Sequence, residues 1–460
     1  VLDDGAADDP AGDAAPAPSV DLAPSVGFVE APAMGDGNAR GRLFYNFVPA
    51  DDRDASRPIL VLMNGGPGAA TSSGLLPFGT GPSTLVDGQG PSPRANDSRW
   101  TRFAALLYLD SPETGFSYMV GPGEPATRCS HVEEAGQHLL ATLAVLSKLP
   151  NGRTRKVIFV GQSYGGARAL MMRSLLSNAD EAPTDALKAA IRAHFGDVGQ
   201  TPPRSVQRER VLRQFSDIAF IQPFLAEIQK QSEGAMYDES EELRALKSAM
   251  MEPNTSRYDV RRDRAWLRAF DDQVKNAYAD ADARARLLAA PLESIAEFRA
   301  EGRRDAVRLP LDPDVEPIAK SVGQALSGTF GALGAKDYFW TPTVDSCALR
   351  AGDISAEWLD EAVRVGGRMF LTHARHDAVV YTPAIVRMFT RARWANAAVD
   401  LAPKLGVARP GWVRLSPEGS PPTTVRFPAY ESGHMVTVGA PAELAEDLEA
   451  WVNEGVAVRR

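Results

Sequence analysis

Val157-Ile158-Phe159-Val160-Gly161-Gln162-Ser163-Tyr164-Gly165-Gly166 is the stretch on which the fold turns. Its first four residues are a continuous apolar run, the pattern of a strand in a parallel sheet covered on both faces. Residues 167–176 follow with a helical pattern. Between strand and helix stands a serine with glycine two positions before it and two after it. Small residues at those positions permit a sharp strand-to-helix turn that pushes Ser163 Oγ out at the carboxyl end of the strand. The helix then aims its first amides at a centre where negative charge would develop. An ordinary junction with glycines for packing is the competing reading. The strand before and the helix after favour the reactive one.

Working outward, Ile59-Leu60-Val61-Leu62-Met63 and Ala104-Ala105-Leu106-Leu107-Tyr108-Leu109 are further buried-strand runs, and Met369-Phe370-Leu371-Thr372 is a fourth. A helical pattern fills residues 132–149, and an amphipathic helix is predicted over 441–453. Strands alternating with helices make an α/β domain. From about residue 178 to 307 the chain is charged and mostly helical in pattern, without a strong strand signal. We therefore expect a mostly parallel central sheet flanked by helices, in two parts at 25–177 and 336–460. A large helical insertion at 178–335 separates them, as a lid or as a solvated decoration. Residues 1–24 are poor in large apolar groups and read as a flexible acidic tail.

Composition narrows the function. The net charge of −9 and the lack of a basic stripe argue against nucleic acid as a partner. No apolar run is long enough for a membrane span. The chain opens on Val1, as it would after loss of an initiator or leader. Cys129 and Cys347 are compatible with one disulfide or with two thiols. No Cys or His spacing suggests a metal, so neither a structural metal nor a cofactor is expected. No signal sets an oligomeric state.

A serine hydroxyl needs a base within reach, usually histidine, itself oriented by a carboxylate. In the chain order serine, acid, histidine, the best base is His434, in the small-residue loop Glu431-Ser432-Gly433-His434-Met435-Val436 before the last helix. Asp377, just beyond the strand at 369–372, leads as the acid; Asp345, Asp400 and Asp360 are fallbacks. His373 and His376 lie too close to Asp377 in sequence for triad geometry and read as polar loop residues. Asn64-Gly65-Gly66-Pro67-Gly68, at the end of the strand at 59–63, exposes backbone amides. It lacks the Gly-Lys-Ser/Thr of a phosphate loop. The amides of Gly66 and Tyr164 are the expected oxyanion hole of an α/β-hydrolase fold.

Together these pieces resemble the serine carboxypeptidase family (peptidase family S10). The resemblance runs in order through Asn64 to Gly68, Gly79-Thr80-Gly81-Pro82, Asn96 to Trp100, Leu107 to Pro112 and Gly115-Phe116-Ser117-Tyr118. It continues through Gly161 to Gly166, Tyr258-Asp259-Val260-Arg261, His376-Asp377 and Gly433 to Val436. It implies acyl transfer through an acyl-enzyme on Ser163, with a peptide or small-molecule substrate whose carboxylate is held by Asn64, Gly65 and the residue before the serine. It also implies a secreted or periplasmic protein. Three departures stand out. Gln162 occupies the place of the family's glutamate, Gly79 that of its second glutamate, and Ala69 that of a cysteine. Arg168 reads as an exposed helix residue, with a grip on a substrate carboxylate as the alternative. The triad residues are all present while carboxylate recognition is altered, so a specialised esterase or acyltransferase is the second reading and a non-catalytic binding protein the third. Without the paired glutamates, activity is expected to rise as His434 loses its proton, with an optimum near neutral or mildly alkaline pH.

Overall fold

The structure is a computed structural model, and it describes residues 22–33, 40–112, 114–120, 130–197, 202–225, 241–289, 357–380, 411–415 and 419–457. Cys129, Cys347, Asp345, Asp400 and nearly all of the expected N-terminal tail lie outside the described residues. Leu22, inside that expected tail, is buried.

Ten strands form one sheet. They are β1 (Ser25–Ala31), β2 (Arg40–Val48), β3 (Ile59–Met63), β4 (Ala105–Leu109) and β5 (Tyr118–Val120), followed by β6 (Val157–Gln162), β7 (Asp217–Ile221), β8 (Gly367–Leu371), β9 (Gly411–Leu415) and β10 (Thr423–Phe427). Their order is β1-β2-β4-β3-β6-β7-β8-β10-β9, with β5 paired to β2. From β4 to β10 every neighbour is parallel, and the flanking pairs are antiparallel. The central strands are apolar at nearly every position because both faces are covered.

The helices are α1 (His131–Lys148), α2 (Gly165–Ser177), α3 (Asp185–Phe195), α4 (Arg204–Gln214), α5 (Glu241–Met251), α6 (Arg264–Ala279), α7 (Ala281–Leu288), α8 (Glu357–Val365) and α9 (Pro441–Ala457). Alternate residues of each strand feed two separate cores, as the two-residue period requires. Val61, Leu107, Phe159, Phe220 and Met369 pack with α1, α2, α3, α4 and α8. Leu62, Tyr108, Val160, Ala219 and Phe370 face the other way, toward α6, α7 and α9. Each large apolar side chain enclosed in this way contributes roughly 1.5–3 kcal/mol. α1 is started by a full capping box, Ser130 with Glu133.

The expected insertion at 178–335 needs correction at its near end. β7 lies within it and occupies the sheet position between β6 and β8, with all five residues buried. α3 and α4 likewise belong to the sheet's helical layer. The solvated-decoration reading also fails for α6. Its Phe270 stacks on Phe78 at 4.3 Å, and Tyr278 Oη donates to the Ser72 carbonyl at 2.6 Å. Among the described residues no helix is long and apolar enough to cross a membrane.

The amino ends of the middle strands are pinned by charge. Asp217, opening β7, accepts from Lys156 Nζ at 2.7 Å and from Arg368 Nε of β8 at 3.0 Å. Burial raises the Asp217 carboxyl, but the two cations outweigh it and hold it below the usual carboxylate range.

Candidate active site

At the opposite, carboxyl edge of the sheet, β6 ends in a tight turn. Ser163 has φ +54°, a left-handed conformation rare outside glycine. Its amide donates to Ile221 of β7 at 3.0 Å, and its carbonyl accepts from Gly166 at 2.9 Å and Phe224 at 2.9 Å. These bonds hold the strained residue in place. Glycine is required on either side. A methyl group on Gly161 would lie 2.1 Å from the Gly165 carbonyl, and one on Gly165 would lie 2.5 Å from the Met63 carbonyl.

The loop after β3 closes over this turn. A Cβ on Gly65 would fall 2.5 Å from Ser163 Cβ, so only glycine brings the loop this near. Gly66 has φ +105°. Asn64 is tied down by its amide to Thr71 Oγ1 at 3.0 Å and by its side chain to the Ala70 carbonyl at 2.8 Å. The Gly66 and Tyr164 amides donate to no other described residue. Two N–H groups left over beside a serine suit a developing oxyanion.

Asp377 and His434 are brought together across 57 residues of sequence. His434 Nδ1 lies 2.8 Å from Asp377 Oδ2, and both side chains are buried. Asp377 also accepts from Gln222 Nε2 at 2.7 Å and from the amides of Val379 at 2.7 Å and Val380 at 3.2 Å. Gln222 follows β7 directly, with φ +46°, so the residue after Ser163's hydrogen-bond partner Ile221 anchors the acid. Its Oε1 accepts the Ala374 amide at 2.7 Å, which fixes the side chain from both ends. With Nδ1 engaged, Nε2 is the imidazole nitrogen left for a substrate or a serine. Among the described residues Ser163 Oγ makes no hydrogen bond, so the Asp377–His434 leg is the one already closed.

A short segment before α6 straps these loops down. The Tyr258 carbonyl accepts the His434 amide at 2.6 Å, Val260 donates to the His376 carbonyl at 3.0 Å, and Ala378 donates to the Arg257 carbonyl at 2.9 Å. The Tyr258 ring meets the His434 imidazole edge-on at 5.3 Å. Gly433 makes the approach possible, since a Cβ there would be 2.2 Å from the Tyr258 carbonyl.

The remaining candidates fall elsewhere. His373 is buried in a two-residue ladder with residues 429–430, and burial, reinforced by Arg375, pushes its imidazole down to about 4. His376 pairs with Glu431 at 2.9 Å near the surface. Asp360 lies on α8, away from the turn. Gln162 is buried, and its Oε1 has no hydrogen-bond partner. Gly79 is more than a missing glutamate. It has φ +70°, and a Cβ would lie 2.5 Å from the Thr437 carbonyl, so no side chain fits there.

Both expectations for Arg168 are overturned. The side chain is fully buried, and each of its three nitrogens donates within the protein. Nε and Nη2 bind both oxygens of Glu134 at 2.9 and 2.6 Å, and Nη1 donates to the Asn64 carbonyl at 2.6 Å. A guanidinium enclosed in this way and paired with Glu134 is not open to a substrate carboxylate. Sequence reasoning missed Glu134, Gln222 and the strap as parts of the site. Gln222 carries a local signal, a polar residue ending a short apolar run, and the strap contains Tyr258-Asp259-Val260-Arg261, a segment of the resemblance to which the sequence assigns no place in the site.

Comparison with known proteins finds one family and one fold. The sequence model of the serine carboxypeptidase family matches residues 18–189. Serine carboxypeptidase-like 10 of Arabidopsis thaliana is 33% identical over 130 residues, which is 27% of this chain and 29% of that protein. Carboxypeptidase sxa2 of Schizosaccharomyces pombe is 32% identical over 131 residues, 28% of this chain and 24% of that protein. The matched stretch thus spans under a third of these relatives' length. The crystal structure of a prohormone-processing carboxypeptidase, Kex1, from Saccharomyces cerevisiae has the same fold. It superposes with a TM-score of 0.51 over 95% of this chain and 93% of that one, at 14% identity. Over residues 18–189 and through the ordered motifs, the chain is similar to the serine carboxypeptidase family.

Proposed function

We propose that the protein is a serine hydrolase that cleaves a peptide amide or an ester through an acyl-enzyme on Ser163. The observation that carries this reading is the buried Asp377–His434 hydrogen bond, anchored through Gln222 to the strand beside Ser163. In the reaction His434 Nε2 takes the Ser163 Oγ proton as Oγ attacks the substrate carbonyl carbon. The carbonyl oxygen becomes an oxyanion facing the Gly66 and Tyr164 amides. The protonated imidazole, stabilised by Asp377, then gives its proton to the leaving group. Water repeats the sequence and releases the acid. A secreted or periplasmic site of action fits this reading and rests on the family resemblance alone.

The second reading, an esterase or acyltransferase, is favoured by Gly79, where the Thr437 carbonyl occupies the space a second carboxylate would need. Gln162 donates without titrating, so a free substrate carboxylate has one neutral contact where the family supplies a carboxyl pair. Release of alcohol-coupled product in preference to free acid, when an alcohol or amine is added, would select this reading over hydrolysis.

Intact mass after exposure to a fluorophosphonate tests the nucleophile. We expect a single adduct on the native chain, none on Ser163→Ala, and labelling slowed at least 100-fold in His434→Ala. An unlabelled native chain would favour a binding protein that has kept the fold.

A further inference from the structure

We propose that Arg168, clamped by Glu134, is a positioning residue for the oxyanion site, which holds the glycine loop and the serine turn in register. This rests on the acyl-enzyme reading above. The loop at 64–68 has three glycines and little side-chain packing of its own, so its peptide planes are free to rotate unless something holds them. The Asn64–Gly65 peptide is held at its oxygen by Arg168 Nη1 at 2.6 Å. In a trans peptide the C=O and N–H point in opposite directions. Fixing the Asn64 oxygen therefore fixes where the Gly65 N–H points, and the next peptide, which carries the Gly66 N–H, is held at its own oxygen by the Ala69 amide at 3.1 Å. A flip of that plane would leave a buried guanidinium donor without an acceptor, which is costly.

The same guanidinium reaches the other half of the site. Its Cζ lies 5.0 Å from the centre of the Tyr164 ring, and Tyr164 supplies the second candidate oxyanion amide. Tyr164 Oη is in turn 2.7 Å from His131 Nδ1 at the start of α1. Glu134, one turn further along α1, fixes the guanidinium plane through two parallel bonds. One rigid fork on α2 thus touches the loop after β3, the turn after β6 and helix α1. Lysine has no fork and would not make all three bonds at once.

Truncating Arg168 alone would leave the buried Glu134 carboxylate with only the longer contacts to Tyr164 Oη at 3.5 Å and His138 Nδ1 at 3.6 Å, so the variants are Arg168→Lys and the double replacement Glu134→Met with Arg168→Met, which removes both charges together. The measurements are the second-order rate of fluorophosphonate labelling, kcat and KM on p-nitrophenyl acetate, and the thermal midpoint. A matched control replaces Arg208 and Glu361 with Met, since that pair joins α4 to α8 at 2.6 Å in the helical layer. We expect the Glu134/Arg168 double variant to lose about 10- to 100-fold in labelling rate and in kcat with KM changed by less than about threefold, as misplacement of a catalytic group does. Arg168→Lys should fall between it and the native chain. The control should lose as much in thermal midpoint and keep its kcat. A native labelling rate in the folded double variant, or an equal loss of kcat in the control, overturns the positioning role while leaving Ser163 as nucleophile. A native chain that takes no label overturns the acyl-enzyme reading, and the positioning role falls with it.

Discussion

Gly79 and Gln162 sit where the resemblance to serine carboxypeptidases implies a pair of carboxyls, and the two positions respond differently to introducing them. Gly79→Glu asks for a side chain at φ +70° and 2.5 Å from the Thr437 carbonyl. We expect a loss of at least ~2 kcal/mol in stability and no gain in activity, measured by urea unfolding and ester turnover. Gln162→Glu is nearly isosteric, but it places a lone carboxyl in a buried site. Burial raises the pKa of such a group, so its effect belongs on the acid side. We expect turnover of N-blocked dipeptides relative to esters to rise several-fold near pH 5 and to stay unchanged near pH 8. A ratio independent of pH would remove Gln162 from carboxylate recognition. Some of the site's residues are legible in the sequence because their chemistry needs a specific type at a strand end. Ser163 between its glycines is one, and the meeting of Asp377 with His434 across 57 residues is another. Arg168 is misread because a lone arginine in a helix is usually solvated. Its burial depends on Glu134, 34 residues earlier on another helix, and no local pattern carries that information.

At the scale of elements, the strands that read clearly are those with uninterrupted apolar runs: β3, β4, β6 and β8. β7 escapes because it opens on Asp217 and is embedded in charged helical sequence, where periodicity does not separate a buried strand from a helix fragment. Yet β7 organises the centre of the molecule. Its carboxyl end leads into Gln222 and the acid, and its amino end carries the Asp217 ion pairs to Lys156 and Arg368. Those pairs join β6, β7 and β8 at the edge away from Ser163. Asp217→Asn should therefore destabilise the fold by about 2–4 kcal/mol, toward the lower end because both cations keep some contact with water. Its kcat per folded molecule should match the native value, as a denaturation curve read beside ester turnover would show. A large fall in kcat with stability intact would mean that strain at this edge reaches the site.

For the molecule as a whole, the segment at 256–262 links the insertion to the acid and histidine loops. The site is therefore built by both parts of the core and by the chain between them. Such a site is exposed to any global loss of stability, and the buried titratable groups say where that begins. Burial, with Arg168 beside it, pushes the His138 imidazole down to about 4, and His373 is pushed down equally far. An unfolded chain would bind protons at both at about 6.5. Their contribution is therefore complete above about pH 6.5 and is lost as pH falls toward 4. Asp110 acts in the opposite sense. Burial pushes it up to about 6 against the hydrogen bonds from Phe116 and Ser72, so its contribution is present at low pH and is lost as pH rises through 6. Burial pushes Asp271 up to about 6 in the same way, so two carboxyls oppose the two imidazoles between pH 6 and 4. Replacing His138 and His373 with Met together should leave the carboxyls unopposed, so that urea midpoints at pH 7, 6 and 5 rise toward acid relative to those of the native chain. A pH dependence unchanged in that double variant would mean that the two imidazoles take no part in the acid response.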